Sequence, residues 1–177
     1  MKLELAYYGA PVLRQKAKEV EKVTPEIQKL CEDMIETMHH HDGIGLAAPQ
    51  VYRSLRIFVT CVPKPSQETP GEWEEGQTHI FINPKLLEPS DEAWETDEGC
   101  LSIPSLRGNV TRPYRITVDA LDIHGRPFQE TFYGLEARCI MHENDHINGV
   151  LFIDRVRGKE RQQLEPGLKA LKKKSKR

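Results

Sequence analysis

The sequence predicts an α+β fold. Three observations carry that reading: an amphipathic helical repeat near residues 25–41, two pairs of short β-branched runs joined by turn-rich connections, and one internal helix after the second pair. Strands that follow one another directly favour antiparallel pairing, whereas a parallel sheet needs helices between its strands. With 177 residues, 38% of them hydrophobic and 29% charged, the chain can close one core without disulfides or a structural metal.

Thr24 and Pro25 form an N-cap and first-turn pair, and Ile27, Leu30, Cys31, Met34 and Met38 follow at helical spacing. The helix is expected over about 25–41, with Asp42 and Gly43 ending it and Gly43 suited to the left-handed conformation. Leu55–Val62 and His79–Ile82 read as strands, and Pro63–Thr78 between them as a long solvated hairpin loop. Arg115–Ile123 and Pro127–Tyr133 flank the turn His124, Gly125, Arg126 as a second hairpin. Gly134 then opens a helix to about Ile147, closed by Asn148 and Gly149.

The net charge of -2 conceals an asymmetry: residues 1–154 hold 15 basic against 25 acidic side chains, and residues 155–177 hold 10 against 2. A basic tail on an acidic body is a handle for nucleic acid, an acidic protein or a membrane surface, or simply a solvated end. No apolar run approaches the roughly 20 residues that span a bilayer, and the N-terminus lacks a basic segment followed by an apolar stretch. A soluble, unexported, cytoplasmic protein with no membrane partner is expected. Cys31, Cys61, Cys100 and Cys139 are irregularly spaced, which suits free thiols in a reducing compartment. Cys31 and Cys61 fit apolar patterns and read as core. Trp73 and Trp94, in charged stretches, read as partial cover for the core or a loop. His39, His40 and His41 lie at a helix C-terminus, where the dipole suits them, and that reading is preferred to a second metal site.

Chemistry concentrates on the last internal helix. His142, Glu143, Asn144, Asp145 and His146 spell HExxH: two histidines on one helical face that can share a metal, with a glutamate beside the first as general base. The same pattern also arises as two satisfied histidines on an amphipathic helix. Asp145 can orient a liganding histidine or sit in water. A hydrolytic metal needs a third protein ligand and an open position. One protease subgroup supplies a histidine after HxxG, but here that position is Phe152; another takes a downstream glutamate, for which only Glu160 and Glu165 are available, in the charged tail. The remaining strong donor is a thiolate, and Cys100 stands in Glu98, Gly99, Cys100, Leu101, Ser102, outside clear apolar periodicity. A third block, GIGLAAPQ from Gly43 to Gln50, is a loop of small residues whose Gln50 amide can donate to an oxyanion.

Together GIGLAAPQ, EGCLS and HENDH, in that order, resemble the peptide deformylase motifs GxGxAAxQ, EGCxS and HExDH, and the resemblance runs from about residue 5 to residue 155. It implies an α+β fold with mixed, mainly antiparallel sheets packed around a central helix bearing the two histidines. It also implies a catalytic unit over 1–154 followed by a basic extension over 155–177. Cys100, His142 and His146 would hold one divalent metal, Fe2+ in the first place, with Zn2+ or Ni2+ as substitutes. Glu143 would take a proton from metal-bound water attacking the formyl carbon and pass it to the amine, while Gln50 and the Leu101 N–H steady the oxyanion. Gly43, Ile44 and Gly45 would present backbone to an N-formyl-methionyl nascent peptide, with Ile44, Leu135, Cys139 and His142 lining the methionine pocket. Glu98 and Arg107 would support the Cys100 loop, or lie on the surface.

Met141 stands where Gln is common and Arg138 where an apolar pocket residue is common; Arg138 could narrow the pocket entrance or make it polar, which bears on fine specificity and not on the reaction. The implied basic extension would dock on the ribosome, but Pro166 and Gly167 are expected to interrupt any helix there. No DNA partner is expected. The competing readings are a zincin-like metallopeptidase using Glu160 or Glu165, and a non-catalytic zinc-stabilised binding module.

Overall fold

The computed structural model describes residues 1–175; Lys176 and Arg177, at the end of the expected basic tail, lie outside the described residues. Helix α1 (Pro25–His40) starts where Thr24 Oγ1 accepts the Ile27 N–H at 3.3 Å, a cap worth about 1 kcal/mol. It buries Cys31, Met34 and Met38. The helix ends at His40, and the chain turns left-handed at Asp42, whose φ is 56°, and not at Gly43. Aspartate tolerates that conformation by local hydrogen bonding. Gly43 is small for another reason: a Cβ there would sit 2.9 Å from Leu101 Cδ1.

The strands in chain order are β1 (Gly45–Ala47), β2 (Ile57–Cys61), β3 (Lys64–Pro65), β4 (Trp73–Glu74), β5 (Thr78–Leu87), β6 (Ala93–Cys100), β7 (Ile103–Pro113), β8 (Arg115–Leu121) and β9 (Pro127–Tyr133). Five of them form one sheet in the order β1-β2-β5-β8-β9. All ladders are antiparallel; the mixing of directions implied above reduces to an isolated parallel bridge between Lys18 and Leu55. Every residue of β2 is buried because its two faces serve two cores: Ile57, Val59 and Cys61 meet the α1 cluster, and Phe58 meets the cluster around α2 (Gly134–Ile147). A strand covered on both faces reads as an unbroken apolar run.

Three parts of the β-structure depart from expectation. β5 runs on past Ile82 to Leu87, through a bulge at Asn83, where φ is 51° and the side chain bonds Val20 N and Val20 O at 2.8 Å. The expected loop 63–78 carries the short ribbon β3–β4, with Trp73 exposed on it. The hairpin β6–β7, with Cys100 at its turn, went unread because its inward residues include Glu98 and Arg112, so apolar alternation fails there.

The expected interruption at Pro166 and Gly167 does not occur: α3 spans Gly158–Lys174 through both. Pro166 and Gln162, whose carbonyl loses its helical partner, are both exposed, so water is at hand to satisfy it. Meanwhile Leu164 and Leu168 bury against Ile103, Val110 and Phe152. Gly167 lets the helix approach β7, since a Cβ there would lie 2.8 Å from Leu106 Cδ2. Burial of that apolar ridge outweighs the lost hydrogen bond.

Candidate metal centre and its cleft

α2 is the central helix, with ten of its fourteen residues buried, including His142, Glu143 and His146. Gly149, with φ of 74°, closes it as expected. Heptad-like spacing brings Leu135, Cys139 and His142 onto the face that lines a cleft of about 660 Å³. The opposite wall of that cleft comes from Gly43, Ile44 and Gly45, and its end from Gln50, Cys100 and Leu101. Sequence segments 43–50, 98–101 and 135–143 thus converge on one space.

The ligand atoms of Cys100, His142 and His146 all lie within 4.8 Å of one another, with Cys100 Sγ 3.2 Å from His146 Nε2. One thiolate and two imidazoles form a donor set for a borderline divalent cation. His142 Nδ1 is engaged with Glu98 Oε1 at 2.9 Å, which leaves its Nε2 for a metal. Burial lowers the basicity of His146, so its imidazole keeps a lone pair. Glu143 is buried, and Oε1 has no hydrogen-bond partner among the described residues. Burial pushes its carboxyl up to about 7, against the opposing pull of the His142 charge. A carboxyl poised near neutral pH beside a metal cradle is able to take and return protons.

Glu98 is the hub beneath this cradle. Arg112 grips it bidentately through Nε at 2.7 Å and Nη2 at 2.9 Å, and Arg138 Nη1 adds a contact at 2.5 Å. Burial works against the carboxylate, but the bonds to His142 and Arg112 hold it far below the usual carboxylate range. Arg138 lines the cleft, as the sequence reading places it, but its guanidinium is committed to Glu98. It is buried, donates to Val110 O and Trp94 O, and stacks over the Trp94 ring at 4.5 Å. Asp145 neither orients a liganding histidine nor faces only water: it bonds Arg112 at 3.0 Å and Arg155 at 2.7 Å. Arg112 escaped sequence reasoning, because a lone arginine in a strand carries no motif.

Gln50 is 1% exposed. Its Oε1 accepts from Ala47 N, while Nε2 donates to Ser102 Oγ at 3.1 Å and faces Cys100 Sγ at 3.4 Å. Leu101 lies in the turn between β6 and β7. Arg107 is largely exposed, pairs with Asp97 and packs on Gly99, where a Cβ would lie 2.5 Å from its Nη1. Glu160 and Glu165 are engaged elsewhere, with Asn109 and Arg161. Neither groups with the histidines among the described residues, so the metallopeptidase ligand set is absent from this fold.

An α+β fold with a thiolate–bis-imidazole cradle beside a buried carboxyl defines the class: a metal-dependent hydrolase. Residues 2–162 match the family model for polypeptide deformylase. The chain is 46% identical over 154 residues to the peptide deformylase of Synechocystis, covering 87% of this chain and 79% of the relative. Peptide deformylase from Ehrlichia chaffeensis superposes with a TM-score of 0.87 at 37% identity, covering 98% and 97% of the two chains. A Synechococcus elongatus peptide deformylase in complex with actinonin gives 0.81 at 40% identity, covering 93% and 86%. The chain belongs to the polypeptide deformylase family. Among the described residues no helix is long and apolar enough to cross a membrane.

Proposed function

We propose that this chain removes the N-formyl group from the N-terminal formyl-methionine of newly made proteins and releases formate. The observation that carries the reading is the convergence of Cys100, His142 and His146 ligand atoms within 4.8 Å, beside buried Glu143. A divalent ion held by those three would polarise the formyl carbonyl and lower the pKa of a coordinated water. Glu143 receives the proton of the attacking water on its carboxylate and delivers it to the departing amine. The Gln50 N–H that faces Cys100 Sγ, together with the Leu101 N–H, donates to the oxygen on which negative charge develops. β1 is an edge strand that begins at Gly45, and with Gly43 and Ile44 leading into it this segment would offer backbone to an extended peptide as to an added strand. Ile44 and Leu135, both at 36% exposure, and buried Cys139 supply apolar wall for the methionine side chain.

Fe2+ is the proposed resident ion, with Zn2+ or Ni2+ able to replace it, since all three accept sulfur and imidazole donors. The cytoplasm is the proposed location, consistent with four free cysteines. Residues 1–154 form the proposed catalytic unit and 155–177 the extension. Lys169, Lys172, Lys173 and Lys174 are exposed on α3 and give it a basic surface suited to ribosomal RNA, a contact that added salt would weaken.

The test is formate release from a formyl-Met peptide by protein purified anaerobically, with its metal identified by elemental analysis. Glu143→Gln should keep the metal and lose roughly 10²–10⁴ of the rate. Undiminished turnover in that variant would refute the proton-transfer assignment, and absence of formate from the metal-loaded parent would refute the function.

A further inference from the structure

A second cluster of donors lies outside the cleft. His39 from the last turn of α1, Cys61 from the end of β2 and Glu75 just after β4 bring an imidazole nitrogen, a sulfur and a carboxylate oxygen within 4.8 Å of one another. We propose that these three residues form a second metal site that takes one borderline-soft divalent cation, Zn2+ by its donor set.

The arrangement is a product of tertiary structure, not of local sequence, because three separate elements supply it. Gly76 is what allows the approach: any Cβ there would overlap Val62 O, so a side chain would push the returning insertion off β2. Cys61 Sγ accordingly donates to Gly76 O at 3.5 Å, which fixes the sulfur beneath Glu75. Cys61 is 6% exposed, whereas His39 and Glu75 are exposed and their side chains have no hydrogen-bond or ion-pair partner among the described residues. One donor is therefore fixed and two are free to turn onto an ion.

A tetrahedral zinc with bonds of about 2.0–2.3 Å sets its ligand atoms roughly 3.3–3.6 Å apart. Rotation of the two exposed side chains supplies the difference. Magnesium and calcium prefer all-oxygen shells, so the thiol and imidazole select against them. On binding, the Cys61 thiol proton leaves to solvent, the thiolate, His39 and Glu75 take three positions, and water completes the fourth.

Occupancy would tie the 63–78 insertion to α1 and β2. It also reaches the cleft, since the Cys61 N–H donates to Ile44 O at 2.8 Å. The ion would brace the wall on which Ile44 and Gly45 stand.

The experiment uses tag-free full-length protein with its cleft already loaded by one equivalent of Zn2+. Dialysis against excess free Zn2+ should raise the content to two per chain, and His39→Ala and Glu75→Gln should each return it to one while far-UV circular dichroism is unchanged. Co2+ added to the one-zinc protein should produce a thiolate-to-cobalt absorption that Cys61→Ser abolishes, and amides in 63–77 should exchange more slowly in excess Zn2+. Glu75 lies on the exposed insertion, so its substitution leaves folding intact. A parent that stops at one zinc per chain, or a second zinc that survives both His39→Ala and Glu75→Gln, would overturn the site.

Discussion

Glu98 Oε1 lies 2.9 Å from His142 Nδ1, and the same carboxylate is gripped by Arg112 and Arg138. The strand that ends in Cys100 thus also aims the ring that stands opposite it. A carboxylate behind a liganding histidine fixes its tautomer and orientation. Glu98→Gln keeps the shape but removes the charge that two buried guanidinium groups face. We expect metal affinity to fall about 10–100-fold, and stability to fall by about 3–5 kcal/mol. Competition with a chelator and urea unfolding measure the two effects separately; unchanged metal affinity would mean that the Glu98 contact does not order the His142 ring.

Gly45 packs directly against the proposed proton carrier. A Cβ there would sit 2.5 Å from Glu143 Oε2 and 2.7 Å from Cys139 Sγ. Gly45→Ala should displace the carboxylate and lower kcat by about 10²-fold, as an ångström of misplacement does. Metal content and the far-UV spectrum should be preserved. Steady-state formate release decides the matter, and a kcat equal to the parent's would show that the cleft wall yields instead.

Cys31 is fully buried on α1, and burial pushes its thiol up to about 12. The unfolded chain releases that proton near pH ~8.5. Between those values the folded state binds more protons, so raising the pH favours unfolding, by up to about 1.4 kcal/mol per pH unit from this group. Urea unfolding of the parent at pH 8 and pH 10 should show a larger loss of stability than the same comparison in Cys31→Ala. Parallel losses in the two proteins would assign the alkaline sensitivity to other groups.

Leu168 on α3 is 1% exposed and packs with Ile103, Val110 and Phe152. Truncation to Ala should cost about 2–5 kcal/mol, read as a lower urea midpoint at constant slope. If the midpoint did not move, α3 would be an appendage and not part of the fold.

The residues themselves determined more than the class. Thr24–Pro25 and the spacing from Ile27 to Met38 specified α1, and HENDH on a helix closed by Gly149 specified the two imidazoles and the carboxyl, because caps and helical period act over a few residues. Three short motifs were enough to point to the segments that meet at the cleft and to the proposed ligand set. Tertiary structure decided what depends on partners far along the chain. The β6–β7 hairpin was hidden because its inward face is charged, and Glu98 is tolerable there only beside Arg112, Arg138 and His142. Arg138 borders the cleft and also braces Glu98, a second role that no local pattern reveals. Pro166 was read as a break, yet burial of Leu164 and Leu168 carries the helix through it. Local rules govern where an element starts; the energy of burying charges in pairs and apolar ridges in contact decides where it goes, and that energy exists only once the chain has closed on itself.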